Sequence, residues 1–350
     1  MKYLYIFGKN LILIIFLLFI FIRFKKKIGV IGLNHGLNIG NNLIKYALHI
    51  KLTEFGFKPY MIGTNYRHND ISFLKNNTNY IIINKNFSEV KKKYDILMVN
   101  SDQTWRKWRK SDKLFYDIGF LKFAQNWSIP KFVYGASMGF DKWIYTKSDE
   151  KIMKKLLKNF NGISVREKSL VNLVKNHLGV KPLFVLDPTL LIDKKYYLNI
   201  IKDYNQNNFT KGKYIFTYIF KNETNTNSFI KYASKKLGYK IYTVRLEEKD
   251  SIKKFIYGII NCNAVITNSY HGTVFSIIFK KPFITFFYKN SAKERLISLK
   301  DAFKIKSRFY EYNKTPDIRL LTTPLRINVD SLESLRIRSI NYLKQNLGLL

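Results

Sequence analysis

Residues 27–55, KIGVIGLNHGLNIGNNLIKYALHIKLTEF, decide how the rest of the chain is read. The run KIGVIGL at 27–33 is short and apolar and ends in a Gly/Asn-rich turn, the pattern of a strand buried on both faces. From Asn41 to Phe55 apolar residues stand at 43, 44, 47, 48, 52 and 55, which is one face of a helix. Strand, turn and helix in that order form the first half of a βαβ unit. The alternation continues downstream. YIIIN at 80–84, DILMVN at 95–100, KFVYGA at 131–136, GISV at 162–165 and LFVL at 183–186 read as strands, with helical spacing over 148–159 and 167–178.

A polar stretch rich in Asn at 192–212 reads as a linker, after which a second series begins. YIFTYIF (214–220), KIYTVR (240–245), AVIT (264–267) and PFITFF (282–287) read as strands, the last of these closing the series. Helical patterns fall at 226–237, 251–261 and 272–279, and an amphipathic helix at 329–347 ends the chain. Two strand–helix series predict an α/β protein of two Rossmann-like, doubly wound domains, at 26–195 and 210–325, with a C-terminal helix at 328–350. The length of 350 residues fits two domains.

Residues 1–25 form a separate apolar segment. Residues 11–22 read LILIIFLLFIFI, followed at once by Arg23 and Lys25-Lys26-Lys27. A helix over 11–24 covers about 21 Å, and one begun at Tyr3 about 33 Å with Lys9 inside it, against a hydrocarbon core of about 30 Å. The expectation is an apolar helix over 3–24 that anchors the protein to the inner membrane, its basic flank holding the bulk of the chain in the cytoplasm. The alternatives are a natural start near Lys27 and a partner-binding helix. No small-residue cleavage site marks a signal peptide.

The chain carries 61 Lys+Arg against 24 Asp+Glu, a net charge of +37. The charge is spread along the whole sequence beside much Asn, Ile and Phe, with no stripe, arm or nucleic-acid motif. It therefore favours anionic partners, such as phosphorylated metabolites, acidic glycans or a membrane surface, over nucleic acid. One Cys, Cys262, excludes a disulfide scaffold and a Cys-based zinc site, and five His without paired spacing argue against a metal centre.

In doubly wound sheets ligands sit at the carboxyl ends of strands, and the polar motifs of this chain fall there. Asn38, Gly40 and Asn41 open the first helix, where free N–H groups suit an oxyanion, or form an ordinary turn and cap. Ser101, Asp102 and Gln103, with Trp105 as a stacking face, suit sugar hydroxyls, or merely cap the next helix. Arg166 ends a buried strand, where its fork needs a carboxylate or phosphate: a bound ligand, or a neighbour such as Glu167 or Asp187. Asp187-Pro188-Thr189 reads as a turn that closes the first domain. His271, between a strand end and a helix start, suits proton transfer. Ser269 and Thr273 add hydroxyls, and the amides after Gly272 an anion site.

Six stretches in order, GVIGLNHGLNIGNNLIKYAL, DILMVNSDQTW, FVYGASMGF, ISVREKS, VLDPTLL and ITNSYHGTVFSIIFKKPFI, resemble the polysaccharide pyruvyl transferase family over about residues 26–308. The resemblance implies two domains arranged as in glycosyltransferases of the B type. It implies transfer of pyruvate from phosphoenolpyruvate to a glycan or lipid-linked glycan of a surface polysaccharide, as a cyclic ketal, with no metal and no cofactor beyond the donor substrate. Arg166 becomes an anion clamp and His271 the general acid. Branches of the family with characterised pyruvyl transfer carry an Arg two residues before the His, where this chain has Ser269. Arg295 or Arg308 would then supply the missing cation. The alternatives are a glycosyltransferase using a nucleotide sugar and a non-catalytic glycan or anion binder.

Overall fold

The computed structural model describes residues 25–33, 38–64, 72–83, 87–90, 93–107, 114–204, 213–220, 224–288, 293–305 and 307–350. The apolar run at 11–22 lies outside them. Among the described residues no helix is long and apolar enough to cross a membrane.

The first domain is a seven-stranded parallel sheet built from β1 (Lys27–Ile31), β2 (Lys58–Thr64), β3 (Tyr80–Ile83), β4 (Ile96–Val99), β5 (Lys131–Ala136), β6 (Gly162–Val165) and β7 (Leu183–Phe184). The order is β3-β2-β1-β4-β5-β6-β7. The chain winds outward from β1 to β3, then returns to the other side of β1, so the switch point lies between β1 and β4. Its helices are α1 (Ile39–Glu54), α2 (Ser72–Asn77), α3 (Phe115–Phe120), α4 (Lys147–Leu157) and α5 (Lys168–Leu178). The apolar runs read from the sequence are strands because both sheet faces are covered: β1, β4 and β5 are buried nearly throughout.

Within the stretch read as linker, residues 194–200 form a helix, α6 (Lys194–Ile200), capped by the Asp193 carboxylate on the Lys195 amide. The second domain is a five-stranded parallel sheet of β8 (Tyr214–Tyr218), β9 (Lys240–Thr243), β10 (Ala264–Thr267), β11 (Phe283–Phe287) and β12 (Phe309–Glu311), in the order β12-β11-β10-β8-β9. Its switch point lies between β8 and β10. PFITFF is therefore not the last strand: β12 pairs beyond it at the sheet edge. Strand β2 is a second element that the sequence pattern hides. The helices are α7 (Thr224–Leu237), α8 (Ser251–Asn261), α9 (Tyr270–Ile278) and α10 (Lys293–Ala302).

Two contacts fix the relation of the domains. A single apolar cluster runs from Leu43 and Ile44 of α1 through Tyr197 of α6 to Phe275 of α9, with the Tyr197 and Phe275 rings 4.9 Å apart, edge to face. The last helix, α11 (Val329–Asn346), returns to the first sheet. There Tyr342 donates to the Val133 carbonyl at 2.7 Å, and the Ser339 hydroxyl accepts from the Leu186 amide at 2.9 Å. Both switch points consequently face one cleft.

Candidate active site

Position 102 has a left-handed backbone, φ 92°, rare for a residue with a side chain. It is held there by a bridge to Ala136 and by the Ser137 amide donating to its carbonyl at 2.9 Å. Backbone strain of this kind concentrates at functional sites. The result is a carboxylate aimed into the cleft. Asp102 accepts from the Asn41 side-chain amide at 3.1 Å and pairs with Arg166 at 3.1 Å. Burial works against its charge, but Arg166, Arg295 and His271 and the Asn41 hydrogen bond outweigh burial and hold the carboxyl down to about 2.

Arg166 follows β6 and is 2% exposed. Both terminal nitrogens are engaged, one by Asp102 and the other by Asp187. The anion that the sequence demanded for this arginine is thus a pair of carboxylates belonging to the protein. Asp187, read from the sequence as a domain-closing turn, is fully buried at the centre of the site. Its other oxygen accepts from the Thr189 amide and hydroxyl, so it serves turn and site together. Arg166 and His271 hold its pKa well below the ordinary carboxylate range, against the cost of burial.

His271 enters from the second domain, on the first turn of α9. Its Nε2 stands 3.6 Å from Asp187, too far for a hydrogen bond, and makes none with any described residue. Its ring lies flat against the start of α1: a Cβ built on Gly40 would fall 1.9 Å from Nδ1. Glycine at 40 is what lets the two domains bring this imidazole and Asp187 together. The ring occupies the helix start that the sequence offered as an oxyanion site, where the Asn38 side chain accepts from the Asn41 amide at 3.0 Å.

Tyr270 and Arg295 complete the cluster. Two guanidiniums approach the Tyr270 ring, Arg166 at 4.7 Å and Arg295 at 5.4 Å from its centroid. Arg295, on α10, stands 3.9 Å from Asp102 and forms no hydrogen bond to any described residue; its Nε is buried without a partner. Burial and the neighbouring Arg166 depress its basicity, with Asp102 and Glu167 opposing. Arg308, the other candidate for this role, is excluded: its guanidinium donates to the carbonyls of Phe283, Leu320, Thr323 and Pro324. It staples the edge of the second sheet.

Several predicted binding residues hold the site's frame. Ser101 donates to the Gly135 carbonyl at 2.9 Å. Gln103 accepts from Arg106 at 3.4 Å and leaves its amide nitrogen unpartnered. Ser269 caps α9, accepting from the Gly272 amide at 3.3 Å, and Thr273 donates to the Ser269 carbonyl at 2.9 Å. The amides of Gly272 and Thr273 are both engaged by Ser269, so the anion site expected there does not exist in this form. Gly272 is needed because a Cβ would lie 2.4 Å from the Thr267 hydroxyl. Trp105, expected as a stacking platform, is core: it stacks on Phe120 and its indole donates to the Gly119 carbonyl.

Lys45 was not singled out by its sequence position, one helical turn after Asn41. It is 1% exposed and donates to the Asn41 side-chain carbonyl at 2.7 Å, which fixes the amide so that its nitrogen faces Asp102. Burial lowers its basicity to about 7, with Asp102 opposing. Glu167, beside Arg166, is fully buried against Ser137; burial raises its pKa above the ordinary carboxylate value, with Arg166 opposing.

A sequence profile of the polysaccharide pyruvyl transferases matches residues 38–290, more than half of the chain and every site residue above except Arg295. The chain belongs to the polysaccharide pyruvyl transferase family. This is a transferase family whose members act on polysaccharides. A search of curated protein sequences finds no match. Among solved structures the chain resembles UDP-GlcNAc 2-epimerase of Neisseria meningitidis bound to UDP-GlcNAc, with 11% identity and a TM-score of 0.53 over 91% of this chain and 94% of that one. It resembles the S. aureus MnaA–UDP structure equally, with 14% identity and a TM-score of 0.53 over 93% and 98%. The Methanocaldococcus jannaschii UDP-GlcNAc 2-epimerase follows, with 14% identity and 0.52 over 88% and 92%. At these identities the likeness establishes the fold, two Rossmann-like domains arranged as in glycosyltransferases of the B type.

Proposed function

We propose that the protein transfers pyruvate from phosphoenolpyruvate to two hydroxyls of a glycan sugar, forming a cyclic ketal and releasing phosphate. The observation that carries this reading is Arg295, a partly buried guanidinium with no hydrogen-bond acceptor among the described residues, in the same cleft as His271. A donor carrying a carboxylate and a phosphate fits such a cation, and Arg295 takes the part that the Arg at position 269 plays in other branches of the family. His271 Nε2 protonates the methylene carbon of phosphoenolpyruvate, making C2 electrophilic. A sugar hydroxyl adds to C2, phosphate leaves, and a second hydroxyl closes the ketal. Of the two hydroxyl protons, one balances the proton placed on the methyl group and the other departs with phosphate. Asp187, held by Arg166, stands 3.6 Å from the imidazole Nε2; Lys45 holds the Asn41 amide against Asp102 beside them. The apolar run at 11–22 would place this chemistry at the cytoplasmic face of the membrane, with a lipid-linked glycan as acceptor.

A nucleotide-sugar donor is the competing reading, because two of the similar solved structures hold UDP-GlcNAc or UDP. Calorimetric titration separates the two. Phosphoenolpyruvate should bind saturably and more tightly than inorganic phosphate at fixed moderate salt. Arg295→Ala should weaken it about 10- to 100-fold, the loss of a charged hydrogen bond of about 1.5–3 kcal/mol. Binding of UDP-GlcNAc in preference to phosphoenolpyruvate, or binding of phosphoenolpyruvate indifferent to Arg295, refutes the proposal.

A further inference from the structure

Asn42, the residue after Asn41, lines a separate cavity of about 300 Å³ between the domains. Asn41 of the Asp102 network and Asn42 of this cavity are consecutive on α1, so the two share that helix, and none of Asp102, Arg166 or His271 lines the cavity. Its walls join α1 and α2 of the first domain, α6, and the start of α8 in the second. Their chemistry is unusual for this chain. Asn42, Asn76 and Asn199 contribute amides, Asn77 an amide that also donates to the Phe73 carbonyl at 2.8 Å, Ser251 a hydroxyl and Phe73 an aromatic surface.

Charge separates this cavity from the anion site. The chain carries +37 overall, yet the lining holds one cation, Lys253, and one carboxylate, Asp250. Within this lining a phosphate or nucleotide would meet no excess of positive charge. Amides and hydroxyls, each able to donate and accept, beside an aromatic surface, match a neutral ring bearing many hydroxyls. Asp250 strengthens the match. Its backbone is left-handed, φ 57°, unusual for a residue with a side chain, and its carboxylate does not cap the helix that it begins. A lining carboxylate left free of capping suits a pair of adjacent sugar hydroxyls. The volume is at the lower end for ligand pockets, which run from about 300 Å³, the scale of a single sugar unit.

We propose that this cavity is a subsite for one neutral sugar residue of the acceptor, adjoining the residue that reacts; the word acceptor rests on the transfer reaction proposed above, the sugar chemistry does not. The test is saturation-transfer NMR on the full chain with methyl glucoside, methyl galactoside and methyl N-acetylglucosaminide as probes and glycerol as control. At least one glycoside should receive saturation well above glycerol. Asn76→Leu/Asn199→Leu, two exposed positions outside the charged cluster, should weaken its binding about tenfold, the worth of one or two neutral hydrogen bonds, with an unchanged melting profile. Arg295→Ala should leave it intact. No transfer above glycerol, or transfer unaltered in the double variant, overturns the subsite. The two proposals fail separately: sugar binding that persists in a protein indifferent to phosphoenolpyruvate removes the donor and leaves this cavity.

Discussion

Gly40→Ala tests whether the meeting of His271 with the start of α1 holds the cleft together. The added methyl would fall 1.9 Å from Nδ1, 2.4 Å from Cγ and 2.5 Å from Cε1 of the imidazole, where ordinary contact begins at 3.4 Å. Ring and helix must therefore part by about 1.5 Å, and Asp187 and Arg166 behind the ring leave it little room to retreat. Overpacking of this kind costs about 1–3 kcal/mol, while replacing a helical glycine with alanine returns about 1 kcal/mol. The single variant should range from neutral to about 2 kcal/mol less stable. Turnover should fall about 100-fold or more, because a displacement near 1 Å at a reacting group has that effect. A double-mutant cycle in urea isolates the contact. In a His271→Ala background the clash is gone, so Gly40→Ala should become stabilising by about 1 kcal/mol, giving a coupling of about 1–3 kcal/mol. Equal effects of Gly40→Ala in both backgrounds would show that the ring does not rest on this helix, and the geometry of the site would have to be redrawn.

Arg166→Ala should act on stability before it acts on any ligand. It strands Asp187 and Asp102, both buried, at a cost of about 3–5 kcal/mol at pH 7. Because both carboxyls are depressed in the folded state, their contribution is complete above about pH 4 and fades as pH falls toward about 2. The deficit of the variant in denaturant melts should narrow over that window, and a deficit constant with pH would refute the ion-pair account. Lys45→Met should remove a dependence of opposite sense. Between pH 7 and 10.5 the unfolded chain carries a proton on Lys45 that the folded chain lacks, so parental stability falls as pH drops through this window and the penalty is complete below pH 7. From pH 9 to pH 6 the variant should gain on its parent by roughly 3 kcal/mol, and no relative gain would show that Lys45 is not held near neutrality. His271→Ala should abolish turnover yet retain phosphoenolpyruvate binding, read by calorimetry; undiminished turnover would remove His271 as the general acid.

The sequence by itself determined the two strand–helix series and the places to look for chemistry. Strands covered on both faces must be apolar throughout, so β1, β4, β5, β8 and β10 show as uninterrupted runs, and polar residues at their ends stand out against them. Strand β2 escaped because Lys58-Pro59 and Gly63 read as turn residues, and β12 because three half-buried residues at a sheet edge carry no pattern. The ordered motifs also made the family legible, along with His271 and the need of Arg166 for an anion. What the tertiary structure decided was partnership. Asp187 reaches Arg166 because β6 and β7 are neighbours in the sheet, although 21 residues separate the pair in sequence. Arg295 and Arg308 are alike in sequence, and only the packing around them turns one into a sheet staple and leaves the other facing the cleft. Lys45 looks like any surface lysine until helix α1 is set against β3 and the second domain. Local periodicity is written along the chain, because burial imposes it residue by residue. The meeting of residues 100 positions or more apart, as of His271 with Gly40 or Arg295 with Asp102, follows only from how the two sheets close on one another.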